Sequence, residues 1–204
     1  MIVITGPSGS GKTFLANKLQ KDINNAIVIN TDSYYRANLF VKFLSLFMKD
    51  FYDRLISVKL REISKTISSI HKNEKAITFY KYDFKRKKST QSIKKADKQT
   101  KYLIIEGIFS HRIDLNYKRT LNILYKETKE ICYQRRLKRD ELERGRNKKD
   151  VSRKFTKSWD LYYKNLNSFI NKNDIYELKS IDSKSYKRLI KKITEIDSHK
   201  KKPR

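Results

Sequence analysis

The chain has 204 residues, of which 38% are hydrophobic, and this is enough for one globular domain with a packed core. Its single cysteine, Cys132, excludes an intramolecular disulfide, and with only three histidines a thiolate zinc cluster is not expected. The formal net charge is +27. No apolar run approaches the roughly 18 residues of a membrane span, and the opening Met1-Ile2-Val3-Ile4 lacks the basic region of a signal peptide. We therefore expect a cytoplasmic protein without membrane contact.

Short apolar runs alternate with segments of helical periodicity along the chain. The strands are predicted at residues 1–5, 26–29, 76–82, 102–105, 120–125 and 175–178. The helical segments are predicted at residues 12–22, 38–70, 129–140, 151–170 and 185–196. This alternation is typical of an α/β, three-layer fold with a mainly parallel sheet and helices on both faces. Because no repeat or linker interrupts it, residues 1–197 are predicted to form a single domain, followed by a basic tail at 198–204.

The positive charge has two explanations that the sequence leaves open. It is typical of a protein that binds a polyanion such as nucleic acid or a phosphorylated substrate. Lysine also outnumbers arginine by 35 to 14, and isoleucine outnumbers valine by 23 to 5, a bias expected from A/T-rich codons. The basic stretch at residues 85–101 is predicted to be a solvated loop, with a binding patch as the alternative.

Residues 6–13, Gly-Pro-Ser-Gly-Ser-Gly-Lys-Thr, match the phosphate-binding pattern G-x-x-x-x-G-K-[ST]. They follow a predicted strand and open a predicted helix, which is the context that the pattern requires. The glycines let backbone N–H groups turn towards a phosphate, and the helix N-terminus adds partial positive charge. Lys12 is predicted to contact the β- and γ-phosphates, and the Thr13 hydroxyl to bind Mg²⁺. The nucleotide-binding residues predicted here are Gly6, Pro7, Ser8, Gly9, Ser10, Gly11, Lys12 and Thr13.

Two acids follow predicted strands. Asp32 comes after the strand at 26–29, and Glu106 after the strand at 102–105. In an open parallel sheet, ligands gather at the carboxyl ends of the strands. Phosphoryl transfer needs one carboxylate to orient or deprotonate the attacking hydroxyl and another to help hold Mg²⁺. Asp32 suits the first role and Glu106 the second; the structural alternatives are a helix N-cap and an acid beside a turn glycine.

Five arginines and one lysine lie within residues 135–146, although lysine predominates elsewhere. A planar guanidinium binds phosphate oxygens through two parallel hydrogen bonds, which an ammonium cannot do. Arg136 and Arg139 are three residues apart and share a helix face, while Gly145 separates Arg144 from Arg146. The segment is predicted to be a helical lid with a flexible joint. The alternative is a charged helix held by salt bridges to its own acids, Asp140, Glu141 and Glu143.

These motifs resemble, in order and spacing, those of the phosphoribulokinase/uridine kinase family of P-loop kinases, and in particular its uridine kinase branch. The segments that carry the resemblance are residues 6–13, Asp32-Ser33-Tyr34-Tyr35, Tyr52-Asp53-Arg54, Tyr82-Asp83-Phe84, 104–108, 135–146 and 173–175. The resemblance covers about residues 1–180. It implies a P-loop NTPase fold with a lid at about 135–148 and an acceptor-side insertion at about 36–101.

The resemblance also implies roles for individual residues. The implied catalytic residues are Asp32, the base for the acceptor hydroxyl, and Lys12, Arg136 and Arg139. Two lid residues join the phosphate loop in binding the donor nucleotide, namely Arg144 and Arg146. The implied Mg²⁺ ligands are Thr13, Glu106 and Asp32. The implied acceptor-binding residues are Asp32, Tyr35, Asp53, Tyr82, Arg136 and Arg146.

Three positions depart from the family's pattern. Leu55 stands where the motif F-D-H-P has its proline, and Lys87 is near the position of the histidine that reaches the pyrimidine. Lys154 aligns near a glutamine found downstream of the lid. These changes retain the phosphoryl-transfer residues and leave the acceptor open.

The predicted activity is Mg²⁺-dependent transfer of the γ-phosphoryl group of ATP or GTP to the 5′-hydroxyl of a pyrimidine nucleoside. An alternative is a kinase of the same fold for a sugar phosphate, pantothenate or another nucleoside. A second alternative is an NTP-regulated nucleic-acid-binding protein, suggested by the net charge and thirteen tyrosines, although no aromatic-basic module is visible. We therefore expect the NTP and a small acceptor as partners rather than nucleic acid. The resemblance leaves a homo-oligomer open.

Overall fold

The computed structural model describes residues 1–37, 54–95, 100–113 and 120–198, and its centre is a five-stranded sheet. The strands of this sheet are β1 (Ile2–Thr5), β2 (Ala26–Asn30), β5 (Tyr102–Glu106), β6 (Leu121–Tyr125) and β7 (Ile175–Leu178). Their spatial order is β2-β5-β1-β6-β7, and every neighbouring pair is parallel. All strand carboxyl ends therefore lie at one edge of the sheet, where ligands are expected.

Helices cover both faces of this sheet, which confirms the predicted fold class. The helices are α1 (Lys12–Asp22), α2 (Leu60–His71), α3 (Lys129–Arg144), α4 (Lys148–Ile170) and α5 (Ser183–Ser198). Alternate residues of a strand point to opposite faces. Ile123 packs with Leu15 of α1 and Leu189 of α5, whereas the next residue, Leu124, packs with Leu166 of α4. A strand that is buried on both faces is a continuous apolar run in the sequence, and this pattern predicted the inner strands β1, β5 and β6.

A hairpin replaces the loop that was predicted within residues 85–101. β3 (Ala76–Asp83) pairs in antiparallel register with β4 (Lys88–Lys95) along their whole lengths. Between them, the Asp83 side chain accepts hydrogen bonds from two turn N–H groups, and Lys87 has a left-handed φ of 51°. The expectation of a loop was wrong because β4 exposes nearly all of its side chains, so no alternation of apolar and polar residues marks it as a strand.

The helical segment predicted at 38–70 is shorter within the described residues. Residues 38–53 lie outside them. Leu55–Ser57 form a short 3₁₀ turn, and Val58 is extended and bridges to Tyr35, so the helix begins only at Leu60. The bridge explains the difference, because its backbone hydrogen bonds replace those of a helix at this point. None of the helices in the described ranges is long and apolar enough to cross a bilayer.

Local capping explains where α3 ends and where α4 begins, on either side of residues 145–147. α3 extends four residues beyond the predicted Asp140 and stops at Gly145, which adopts a left-handed φ of 62°. α4 begins three residues before the predicted Val151, since the Asn147 side chain accepts a 2.8 Å hydrogen bond from the Asp150 N–H. Residues 145–147 therefore form a tight link between two capped helices.

Candidate active site

The phosphate loop connects β1 to α1 at the carboxyl edge of the sheet. Gly9 and Gly11 both have left-handed φ angles, 91° and 101°, which glycine adopts without strain. Gly11 is the N-cap residue and gives α1 no side-chain cap, so the first N–H groups of the helix are left for an anion. The buried Lys12 ammonium donates to the Pro7 carbonyl at 3.2 Å, across the loop. This arrangement suits the polyphosphate of a nucleotide.

Two acids stand beside this loop, as the sequence predicted. β2 and β5 are neighbours with Asn30 opposite Glu106, so the chain after β2 leads Asp32 towards Glu106. The Asn30 side chain accepts hydrogen bonds from the N–H groups of Asp32 and Ser33 and fixes this turn. The Thr13 hydroxyl donates to Glu106 at 3.0 Å. Residues that are 93 positions apart in sequence thus meet at one point.

The Glu106 carboxyl group is buried in a charged environment. Burial raises its pKa to about 7, the nearby charge of Asp32 adds to this increase, and the charge of Lys12 opposes it. One carboxylate oxygen of Asp32, Oδ1, is buried and accepts no hydrogen bond from the described residues. A bound cation would stabilise both carboxylates in their charged forms.

These oxygens fit a magnesium ion that is shared with a nucleotide. The described residues contain no cluster of three or more His, Cys, Asp or Glu side chains that could hold a metal by themselves. Mg²⁺ does not need such a cluster, because it binds through one or two carboxylates and completes its octahedron with phosphate oxygens and water. Thr13, Glu106 and the unpartnered oxygen of Asp32 provide hard oxygen ligands of this kind.

Gly107 allows the two acidic turns to pack together. A β-carbon on this residue would overlap the Thr31 hydroxyl and lie 3.3 Å from Asp32 Oδ1. Its φ of 143° is also unfavourable for other residues. Glycine at this position therefore permits Asp32 to lie close to Glu106.

The arginine segment surrounds one buried carboxylate. Asp140 has no exposed surface and contacts four guanidinium groups. The shortest N···O distances are 2.8 Å for Arg139 and Arg146, 3.4 Å for Arg144 and 3.7 Å for Arg136. Burial alone would raise the pKa of Asp140, but the charges of Arg139 and Arg144 and a hydrogen bond from Arg139 hold it below its usual range. The salt-bridge alternative thus describes part of this segment, and of the three acids that it names, Asp140 is the one that lies among the four arginines.

Two arginines of α3 contact the phosphate loop directly. Arg139 donates to the Ser8 hydroxyl at 3.3 Å, and Arg135 donates to the Ser10 carbonyl at 3.1 Å. Arg135 also pairs with Glu127 at 3.1 Å. Arg139 therefore lies beside the phosphate loop, while its catalytic role stays a prediction.

Arg136 is oriented differently from its predicted place at the reacting group. It is 5% exposed, donates to the Ser158 hydroxyl and lies over the Phe155 ring at 5.8 Å, and both of these partners belong to α4. The sequence placed Arg136 and Arg139 on one helix face but could not show that α4 covers part of that face. The contacts of Arg136 are thus those of a residue that joins α3 to α4.

Arg144 reaches the other side of the site. Its guanidinium lies 3.8 Å from the centre of the Phe84 ring, a cation–π contact with the end of the hairpin. Burial and the neighbouring charge of Arg139 lower the pKa of Arg144 to about 10. Phe84 itself packs edge-on against Tyr35 and Tyr82, with ring centroids 5.7 and 5.0 Å away.

The predicted acceptor-binding residues are only partly brought together. Tyr35 and Tyr82 are both buried, with ring centroids 5.5 Å apart, so they form a packed aromatic wall with Phe84. Asp53 lies outside the described residues. Of the substituted positions, Lys87 is in the hairpin turn and Lys154 pairs with Asp150 at 2.8 Å. Phe84 and Asn30 were not predicted as site residues, although each lies in or beside a motif that was recognised.

A parallel sheet with a phosphate loop, a hydroxyl–carboxylate pair and converging arginines defines a P-loop phosphotransferase. The chain belongs to the phosphoribulokinase/uridine kinase family, whose sequence model matches residues 1–176. It is therefore a phosphotransferase that acts on a hydroxyl group.

Similar proteins of known name agree with this assignment. The uridine kinase of Ureaplasma parvum is 32% identical over 158 residues, which covers 74% of this chain and 73% of that protein. The uridine kinase of Histophilus somni is 26% identical over 158 residues with the same coverage. Among solved structures, D-glycerate 3-kinase from Cryptococcus neoformans has a similar fold, with a TM-score of 0.56 at 14% identity, over 79% of this chain and 77% of that one.

Proposed function

We propose that the protein transfers the γ-phosphoryl group of Mg-ATP or Mg-GTP to the 5′-hydroxyl of a pyrimidine nucleoside, uridine or cytidine. The observation that carries the proposal is the contact between Thr13 and Glu106 beside the unpartnered oxygen of Asp32. The contact joins the end of the phosphate loop to one carboxylate, Glu106, and Asp32 provides a second carboxylate beside it. The relatives named uridine kinase supply the choice of acceptor.

In this proposal Asp32 accepts the proton of the attacking hydroxyl as its oxygen bonds to the γ-phosphorus, while the bond from that phosphorus to the β–γ bridging oxygen breaks and ADP or GDP leaves. Lys12 and Arg139, which both contact the phosphate loop, stabilise the charge on the transferring group. Thr13 and Glu106 would hold Mg²⁺, with Asp32 contributing directly or through water, and the ion would neutralise phosphate charge. We further propose that residues 135–148 act as the lid, with Arg144 and Arg146 on the donor phosphates.

The aromatic wall of Tyr35, Tyr82 and Phe84 supports a flat acceptor. Stacked or edge-on aromatic rings bind a planar base through dispersion and quadrupole contacts, which a sugar phosphate would not use. Lys87, in the exposed hairpin turn, favours the alternative of a different acceptor, because it lacks the hydrogen-bonding pattern of histidine. Cytoplasmic location, a single domain and the oligomeric state stay predictions.

An acceptor panel tests the proposal. ADP release would be measured with Mg-ATP and, separately, uridine, cytidine, adenosine, pantothenate, ribulose 5-phosphate or D-glycerate, together with a reaction without acceptor. We expect kcat/KM for uridine or cytidine to exceed that for every other acceptor by at least tenfold. Turnover confined to a different acceptor would replace the pyrimidine assignment while keeping the phosphotransferase chemistry.

Binding to a random oligonucleotide tests the alternative that the protein is an NTP-regulated nucleic-acid-binding protein. Such binding should weaken steeply between about 50 and 200 mM salt if it depends on phosphate contacts, because it releases condensed counterions. Absence of binding at the lower salt concentration would remove this alternative.

A further inference from the structure

Asp140 holds both the backbone and the side chains at the link between α3 and α4. Its carbonyl accepts hydrogen bonds from the N–H groups of Gly145 and of Arg146, the latter at 3.1 Å. Its carboxylate receives the guanidinium groups of the four arginines described above, among them Arg146 itself at 2.8 Å. One buried residue thus fixes both the turn of the backbone after α3 and the positions of the four arginine side chains.

The charges at this cluster do not balance. Four guanidinium groups lie within 4.0 Å of a single carboxylate, which leaves a local excess of three positive charges. Like charges at this separation repel, and the repulsion is stronger in a partly buried site than in water. Asp140 is the acid that the described structure places among all four, so without its charge these side chains would move apart. The remaining excess is suited to a ligand with several negative charges, such as a nucleoside triphosphate.

The cluster also connects the two sides of the candidate site. On the donor side, Arg139 contacts both Asp140 and Ser8 of the phosphate loop. On the acceptor side, Arg144 contacts both Asp140 and the ring of Phe84. Asp140 itself contacts neither the loop nor the hairpin in these interactions and acts on both through guanidinium groups.

We propose that Asp140 is a positioning residue that assembles the arginines into a preformed receptor for the transferring phosphoryl group. The proposal rests on the proposed function for its reaction. Asp140 makes no contact with substrate and exchanges no proton; it orients the guanidinium groups before the nucleotide arrives. Such preorganisation favours the transition state, in which donors already point at the developing charge.

The Asp140→Asn variant tests this role because it removes the charge and keeps the shape. We expect kcat with Mg-ATP and the best acceptor to fall at least tenfold. The ATP dissociation constant, measured calorimetrically without acceptor, should change less than threefold, because the loss of a negative charge near the phosphates offsets the loss of the fixed orientation of the arginines. This separation of turnover from nucleotide affinity is not expected of a residue that only stabilises the fold.

The matched control is Asp150→Asn. Asp150 pairs with two cations of its own helix, Arg153 at 3.1 Å and Lys154 at 2.8 Å, and is not among the residues assigned to the phosphate loop or to the cluster around Asp140. Its kcat and ATP affinity should stay within twofold of wild type. If Asp140→Asn does not fold, Asp140→Glu retains the charge at a displaced position and should show a smaller loss of kcat with intact ATP affinity.

A spectroscopic readout keeps the test independent of the acceptor. Arginine Nε–Hε resonances in ¹H–¹⁵N spectra should include signals protected from solvent exchange in wild type and Asp150→Asn, since Arg139 Nε donates to Asp140 at 3.1 Å. Asp140→Asn should lose this protection. If wild type phosphorylates no acceptor, the proposed function fails while these spectra still decide the role of Asp140. Unchanged resonances, unchanged kcat, or a parallel loss of kcat and ATP affinity would each overturn the proposal.

Discussion

Gly9 of the phosphate loop lies against the backbone of Cys132 in α3, so closely that a β-carbon on Gly9 would overlap the Cys132 carbonyl oxygen. The loop is therefore confined on one side by the helix that carries the arginine segment. Glycine at this position permits this contact in addition to the left-handed φ of 91°. The first half of α3 thus forms one wall of the phosphate loop.

Gly9→Ala should destabilise the protein far more than Gly145→Ala. Both residues have left-handed φ angles, but a β-carbon at Gly145 would meet no atom within 4 Å. The backbone penalty common to both is about 1 kcal/mol. Displacement of backbone in Gly9→Ala should raise its loss to more than about 2 kcal/mol. Urea unfolding of both variants measures the difference, and equal losses would contradict the close packing of loop and helix.

The contact between Arg144 and Phe84 should be measurable as an interaction energy. In a double-mutant cycle with Arg144→Met and Phe84→Leu, the free energy of unfolding should show a coupling of about 1–2 kcal/mol, since both groups are largely buried. The control is the pair Lys94–Phe79, in which an exposed lysine ammonium lies 5.3 Å from the ring centre; its coupling should be about 0.5 kcal/mol or less. Additive effects at Arg144 and Phe84 would show that the two groups are not coupled.

His111 should make the folded state less stable as the pH falls from 7 to 5. Its Nδ1 atom is hydrogen-bonded to the Thr5 hydroxyl at 3.0 Å, its ring packs edge-on against Tyr162, and the next residue is the charged Arg112. Burial, together with the charge of Arg112, lowers the pKa of His111 to about 4. The ordinary pKa of about 6.5 applies to the unfolded chain, which therefore binds a proton in this range while the folded protein does not.

The expected loss of stability from this proton is about 2 kcal/mol between pH 7 and pH 5. The side chain of Asn in His111→Asn can donate or accept the hydrogen bond with Thr5 but does not titrate, so the loss of stability that comes from His111 should be absent in this variant. Urea unfolding at both pH values compares the variant with wild type. An equal loss of stability in the two proteins would show that His111 titrates normally in the folded state.

The three inner strands of the sheet could be predicted from sequence because they are buried on both faces. Residues 2–5, 102–106 and 121–125 are almost continuously apolar, and little else in the chain has that pattern. β4 could not be predicted, because its pairing with β3 depends on backbone hydrogen bonds and its side chains are mostly exposed lysine and polar residues.

The phosphate loop and the two acids could likewise be predicted, because their positions depend on local motifs and on strand ends. The orientation of the arginines could not. Whether Arg136 or Arg139 faces the loop depends on how α3 packs against α4, and the partners Ser158 and Phe155 lie about twenty residues further along the chain. Asp140 stands inside the recognised segment, yet only its burial identifies it as the centre of the cluster.

The Asp32→Asn variant tests most directly whether the site of Asp32, Glu106 and Lys12 performs phosphoryl transfer. Loss of a general base typically costs about 10²–10⁴-fold in rate. We expect kcat to fall within that range while the ATP dissociation constant changes less than threefold. Asp22→Asn, an acid on the outer side of α1 that binds Lys18 and Tyr186, should behave as wild type. Wild-type turnover by Asp32→Asn would contradict the account.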